Sequence, residues 1–384
     1  MKTGCRENRS FFARLCACSI LLTPVAAFSF GELTYKSKLS GDEAFAAGDY
    51  PAAAGFYSVY AKDAAGAEDN DALRDAKERR LDALLLAGMT AEAEREFADY
   101  ELKYPGVNSL SLSMWKADLR ILQRRYAEAL TIIRRILPGM TENDPRRLRT
   151  LAALARAEEL GKNYAEAAKA YEELVRAAGK SPLALSAFAR RIFCLANTKS
   201  PRDAMSGLLA APLPENREQK EILRLLAFYV HLRMEGAADL NAAWRSIEKE
   251  SGKVRLPIAY TLYSAIGDEA AKRQDRELAV SAYRLAFACA PTKQASFDTL
   301  GRIILLLDQQ KEIEEAALLA IRALDLFKGP YASPETKLRL GRILRSAGKN
   351  LPAIELYLSL IQDEKAPFEL RKTAVRECAY LQNA

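Results

Sequence analysis

The sequence carries a single histidine, His231, in 384 residues. One histidine cannot make the HExxH zinc motif, and any histidine-based triad would hang on this residue alone. It lies in the apolar run Phe228-Tyr229-Val230-His231-Leu232, where a satisfied structural histidine is expected. No Cys-x-x-Cys pair exists, so a thiolate zinc site has no support. Aromatic residues are few (8%) and alanine is abundant, which favours helices packed closely through small residues over a β-sandwich. Blocks of like charge are also missing. The arginine pairs Arg79-Arg80, Arg124-Arg125, Arg134-Arg135 and Arg190-Arg191 are scattered among carboxylates, the pattern of solvated helix faces and not of a nucleic-acid tail. Gly179-Lys180-Ser181 has the end of a phosphate-binding loop, but Leu174 stands where that motif needs its first glycine, and the segment follows a helical pattern instead of a strand. It reads as a helix end turning into Pro182. The carboxylate pairs Glu158-Glu159 and Glu172-Glu173 are adjacent, so they diverge by about 100° on a helix and are expected at the surface. No catalytic residue, cofactor site or metal site is expected, and no nucleic-acid partner.

What is present begins with a leader. Lys2, Arg6, Arg9 and Arg14 precede an uncharged apolar stretch from Leu15 to Ala27, and Val25-Ala26-Ala27 places small or slim residues before Phe28. Residues 1–27 read as a secretory signal peptide, too short in its apolar part to cross a bilayer, which takes about 20 residues. An uncleaved interfacial anchor is the alternative reading. A lipoprotein signal is disfavoured, because Cys16 and Cys18 stand at the start of the apolar stretch and not after it. Loss of this leader removes four basic residues and one acidic one, taking the formal charge from +7 to about +4. The cysteines left, Cys194, Cys289 and Cys378, are odd in number and widely spaced, each in an apolar helical run. That is no disulfide framework; each is expected as a buried small hydrophobe.

The rest of the chain repeats itself. GDYPAAAGFY (48–57), GMTAEAEREF (88–97), RRYAEALTII (124–133), GKNYAEAAKAYEEL (161–174) and GKNLPAIELY (348–357) share a turn, then an alanine, then a large residue four positions on. Anchoring on that alanine gives Ala53, Ala93, Ala129, Ala167, Ala204, Ala243, Ala279, Ala316 and Ala353, with successive differences of 40, 36, 38, 37, 39, 36, 37 and 37. Ala204 and Ala243 rest largely on the spacing. A steady period of this size means stacked supersecondary units, each read as two antiparallel helices. In the last unit Leu338, Leu340, Ile343 and Leu344 form one apolar face, Gly348 ends that helix, and Ala353, Leu356, Tyr357 and Leu360 line the next.

This pattern resembles the tetratricopeptide repeat (TPR). Leu340-Gly341, Gly348, Ala353 and Tyr357 match its scheme, as do Ile266-Gly267, Ala279, Tyr283, Ala286 and Pro291; so do Gly48-Asp49-Tyr50, Ala53 and Tyr57, and Gly88, Ala93, Phe97 and Pro105. The period of 36 to 40 departs from that family's 34. The resemblance implies an all-α, right-handed superhelical solenoid of antiparallel helix pairs, about nine repeats over residues 28–366, with residues 367–384 as a C-terminal capping helix. It also implies binding of a protein or peptide in a concave groove lined by the first helix of each pair. Carried over position by position, it nominates Asp82, Asp118, Arg156, Asp268, Arg302, Arg342 and Arg345, with Arg149 beside Arg156; the C-terminal arginines are suited to clamping carboxylates. Together with the leader, the expectation is a non-enzymatic scaffold of the periplasm or cell envelope. A more specific reading is an accessory subunit of outer-membrane assembly, cell-wall or polysaccharide export machinery, with membrane association of that complex left open; a third is an enzyme with an unrecognised site.

Overall fold

The computed structural model describes residues 35–382 except 106–108, 180, 199, 212–213, 215, 235–239, 252–256, 292, 310 and 329–331. The leader, residues 1–27, lies outside the described residues. The chain divides into two compact units at Leu209/Ala210, and the described residues form helices without strands.

The first unit holds five helix pairs. They are α1 (Lys36–Ala46) with α2 (Tyr50–Gly66), α3 (Asn70–Ala87) with α4 (Thr90–Lys103), α5 (Ser109–Leu122) with α6 (Tyr126–Ile136), α7 (Pro145–Leu160) with α8 (Tyr164–Ala178), and α9 (Pro182–Ala196) with α10 (Pro201–Leu209). The second unit holds α11 (Arg217–Arg233) with α12 (Asn241–Ser251), α13 (Pro257–Lys272) with α14 (Arg276–Ala288), α15 (Lys293–Gln309) with α16 (Ile313–Arg322), the short α17 (Leu324–Lys328), α18 (Pro334–Ser346) with α19 (Asn350–Ile361), and a last helix α20 (Phe368–Gln382). In each unit a helix packs on its pair partner and then on the next pair. The expected all-α array of helix pairs, ending in one unpaired helix, is what the chain forms.

One turn builds most pairs. Residues 48, 88, 124, 162, 274, 311 and 348 have left-handed backbone, each five positions before its anchor alanine. The amide that follows each bonds back to a carbonyl five residues earlier, as in Asp49 N–H to Ala44 O and Lys349 N–H to Leu344 O, which satisfies the orphan carbonyls of the ending helix. The anchor amide then opens the second helix, bonding four residues back: Ala53 to Asp49, Ala167 to Asn163, Ala353 to Lys349. Only Gly48, Gly88 and Gly348 use glycine for this conformation. In GKNYAEAAKAYEEL the left-handed residue is Lys162 (φ 62°), not Gly161, so the turn geometry overrides the roughly 1–2 kcal/mol preference against it. Second helices start on side-chain caps where the sequence offers one, such as Asp49 to the amide of Ala52 and Asp275 to that of Leu278.

Eight of the nine anchors, all but Ala243, are wholly buried. Ala243 is exposed. In that pair Trp244 takes the inward place: its amide bonds to Leu240 O as the other anchors do, and its indole is buried against Phe228 (ring centroids 5.2 Å) and Tyr263 (6.4 Å). The register there is one residue later than the period implies. Spacing alone cannot resolve such a slip, because it is only one residue, a turn of about 100° about the helix axis.

Candidate interaction surface

The surface is built from the way the tyrosine four residues after the anchor is housed. A phenol ring against the first helix needs a gap in that helix, and glycine supplies it. A Cβ added at Gly41 would stand 2.5 Å from the Tyr57 ring, and one at Gly267 2.5 Å from the Tyr283 ring. Gly341 stands equally close to Tyr357. The next residue of the first helix then receives the phenol: Tyr57 donates to Asp42 at 2.7 Å, and Tyr283 donates to Asp268 at 2.7 Å. Burial, reinforced by the bonded carboxylate, pushes both phenols above the usual tyrosine range, so they are donors at any physiological pH.

The same carboxylates reach the next pair. Arg79 of α3 donates to Asp42 of α1 at 2.9 Å, and Arg302 of α15 donates to Asp268 of α13 at 2.7 Å while its guanidinium lies 5.7 Å from the Tyr283 ring centroid. Elsewhere the partners differ but the connection recurs. In the first unit Arg149 of α7 donates to Asp82 of α3 at 3.0 Å and to Asp118 of α5 at 2.8 Å, so one guanidinium joins three consecutive first helices. Trp115 Nε1 also donates to Asp82, at 2.9 Å. Burial works against the Arg149 charge, and the two carboxylates more than offset it, holding its pKa above the arginine value. Arg190 of α9 donates to Glu159 of α7 at 2.8 Å, and Tyr171 donates to the same carboxylate at 2.5 Å. In the second unit Arg233 of α11 donates to Glu269 of α13 at 2.8 Å. Arg342 of α18 donates to Glu377 of α20 at 2.9 Å, joined there by Arg345.

Each unit therefore carries a ladder of arginine–carboxylate links between successive first helices. The exposed rungs are worth about 0–1 kcal/mol each. The buried ones, Glu159 above all, matter more because removing a partner strands a desolvated charge. The cleft between Asp118, Arg149, Met114, Ile133 and Thr150 encloses only about 10 Å³, space for roughly one water and not for an organic substrate.

No protein-family model matches the sequence, and no curated protein does. Among solved structures, the TPR domain of P58(IPK) aligns over 91% of this chain and 98% of that chain, at 14% identity and a TM-score of 0.25. The left-handed turn, the buried anchor alanines and the glycine–tyrosine contacts recur from pair to pair. The fold is TPR-like.

Six of the seven nominated residues lie in the ladder. Asp82 and Asp118 meet on Arg149, Asp268 meets Arg302, and Arg342 and Arg345 meet on Glu377. The first duty of these side chains is thus to the chain itself. Arg156, two turns beyond Arg149 on α7, is exposed and has no ion-pair partner among the described residues. Glu158 and Glu159 are not at the surface as expected but buried. They do diverge: Glu158 turns to Arg134 and Asn163, Glu159 to Tyr171 and Arg190. Their burial is tolerated because each is fully bonded. His231 is exposed, with Nδ1 2.8 Å from the Ala227 carbonyl oxygen. Cys194 and Cys378 are buried and Cys289 is half-buried, all as free thiols. Asp42, Arg79, Glu159, Arg190, Arg233, Glu269 and Glu377 also belong to the ladder, and none of them is among the nominated residues. The available signal was the spacing of 31 to 36 residues between an arginine and a carboxylate of neighbouring first helices, as in Arg190–Glu159, Arg345–Glu377, Arg302–Asp268 and Arg233–Glu269.

Proposed function

We propose that this chain is an exported, non-catalytic scaffold that binds a protein or peptide partner in the cell envelope through the first-helix face of its pairs. One observation carries the reading. The helix pairs bury one another's apolar faces and leave, within each unit, a row of first helices lined by charged side chains. Such a row suits an extended peptide or a partner helix. Of the seven nominated residues Arg156 is the most available to a ligand, since it is exposed and has no ion-pair partner among the described residues. The ladder residues Asp82, Asp118, Asp268, Arg302, Arg342 and Arg345 would contribute only where a partner charge replaces an internal one.

The compartment rests on residues 1–27, with a bacterial periplasm as the setting and with outer-membrane assembly, cell-wall or polysaccharide export machinery as the class of complex it would serve. Crosslinking mass spectrometry in the native cell tests the scaffold: crosslinks from lysines of the first helices, such as Lys116 on α5, to one recurring envelope protein are expected. Recovery of no protein partner under mild crosslinking would sink the reading. The mature N-terminus, read by intact mass, is expected at Phe28, and an intact Met1 in fractionated cells would remove the basis for export.

A further inference from the structure

The first unit carries opposite charge on its successive pairs. Residues 35–105, the first two pairs, hold nine Lys/Arg against fifteen Asp/Glu, a net −6. Residues 109–209, the next three pairs, hold eighteen against ten, a net +8. Much of that positive charge faces water. Arg124, Arg135, Arg156, Lys162, Arg176 and Arg202 are exposed and have no ion-pair partner among the described residues, and only Glu142 and Asp203 stand against them as exposed carboxylates of the same kind.

Three of the six cations share one end of two neighbouring pairs. Arg124 and Lys162 hold the same place, the left-handed residue of the turn five positions before Ala129 and Ala167. The backbone there favours glycine, which Gly48 and Gly88 supply in the first two pairs. The third and fourth pairs place an exposed cation in that conformation against the preference of its Cβ, and an unfavoured backbone at a surface turn points to a use for the side chain. Arg156 precedes Lys162 by six residues, about 9 Å along α7. We infer that this end of the third and fourth pairs, with Arg124, Arg156 and Lys162 as its contacts, binds a short acidic segment of a partner protein. The extent of the charge decides the class of anion. The basic stretch is three pairs wide, about 30 Å at roughly 10 Å per pair, so an extended segment of at most about nine residues spans it. A nucleic-acid strand or an anionic membrane lying along the unit would continue over the net acidic pairs and be repelled there. A local acidic segment meets only its complement. The site deepens the scaffold reading and rests on it.

The test uses the full chain and a fluorescein-labelled peptide of nine glutamates, read by anisotropy. The triple variant Arg124→Gly, Arg156→Gln, Lys162→Gly removes the three charges, and glycine suits both turn positions, so the fold should be kept. The matched control Arg276→Gln, Lys311→Gly, Arg322→Gln takes three exposed cations from the second unit, Lys311 again from a left-handed turn. The wild type should bind the peptide, more weakly as salt is raised. The first variant should lose about tenfold in affinity and the control less than about twofold. Equal losses in the two variants, or none in the first, would overturn the proposal, since the probe would then read net charge alone. Tighter binding of a nine-nucleotide single strand or of phosphatidylglycerol vesicles, with the same dependence on the three residues, would overturn the choice of a protein segment. In the native cell a carbodiimide joins lysines directly to carboxylates, and Lys162 should be joined to an acidic segment of one protein. A partner joined only through the second unit would defeat this site and leave the scaffold standing. Discrimination by the peptide with no protein recovered would sink the scaffold and leave the anion site.

Discussion

Gly267 and Gly301 occupy the same motif position in consecutive first helices, yet a methyl group added to each meets opposite surroundings. At Gly301 the new Cβ finds nothing within 4 Å. Gly301→Ala should therefore express only the helix preference of alanine, a gain of about 0.8–1.0 kcal/mol. At Gly267 the Cβ would lie 2.5, 2.6 and 2.9 Å from three carbons of the Tyr283 ring, which must retreat by about 1 Å to reach van der Waals contact. The ring has little freedom to do so: it is buried, its hydroxyl is bonded to Asp268, and Arg302 lies over its face. Overpacking of this kind costs about 1–3 kcal/mol, so after the same helix gain Gly267→Ala should range from roughly neutral to about 2 kcal/mol destabilising. The difference between the two variants, about 1–3 kcal/mol, is free of the propensity term. Urea unfolding followed by far-UV circular dichroism gives the difference, and native-state hydrogen exchange of α13 and α14 localises it where the array does not unfold in one step. Tyr283→Leu should relieve the clash, so the double-mutant cycle with Gly267→Ala should show a coupling of about 1 kcal/mol or more. Equal shifts for the two glycine variants, or zero coupling, would refute the claim that this glycine exists to house the tyrosine.

Arg149→Met should loosen the first unit by about 1 kcal/mol, a figure discounted because the guanidinium is partly exposed. The loss should shrink in 1 M salt, and identical unfolding at both salt levels would contradict the three-helix link. Burial raises the pKa of Glu269, but hydrogen bonds and charge from Arg233, Arg273 and Lys272 more than offset it and hold the carboxyl below its ordinary value. The unfolded chain therefore takes up this proton more readily. The contribution to the second unit is complete above the ordinary glutamate pKa of about 4.3 and is lost as pH falls through the lower folded-state value; Glu269→Gln should flatten that part of the acid limb in thermal unfolding at stepped pH. The register correction is open to direct check, since Ala243→Lys should change stability by no more than about 0.5 kcal/mol while Ala279→Lys, at a wholly buried anchor, should prevent that pair from folding.

The local architecture is legible in the sequence. A turn, an anchor alanine and a large residue one helical turn later recur because each pair must solve the same problem of bringing two backbones close and covering the gap, and eight of nine anchors named from spacing are wholly buried. The sequence also located the first helices, and with them the nominated charges. It could not say what those charges touch. The rungs join residues 31 to 67 positions apart, and which arginine reaches which carboxylate depends on how one pair is rotated on the next, a quantity that no periodicity encodes. Thus Arg149 skips a pair to reach Asp82, Glu159 goes inside because Tyr171 and Arg190 both reach it, and Lys162, not the neighbouring Gly161, takes the left-handed turn. That the arginines suited to clamping carboxylates already hold one, Glu377 of the last described helix, follows from packing alone, because the pairing exists once α20 is seated beside α18.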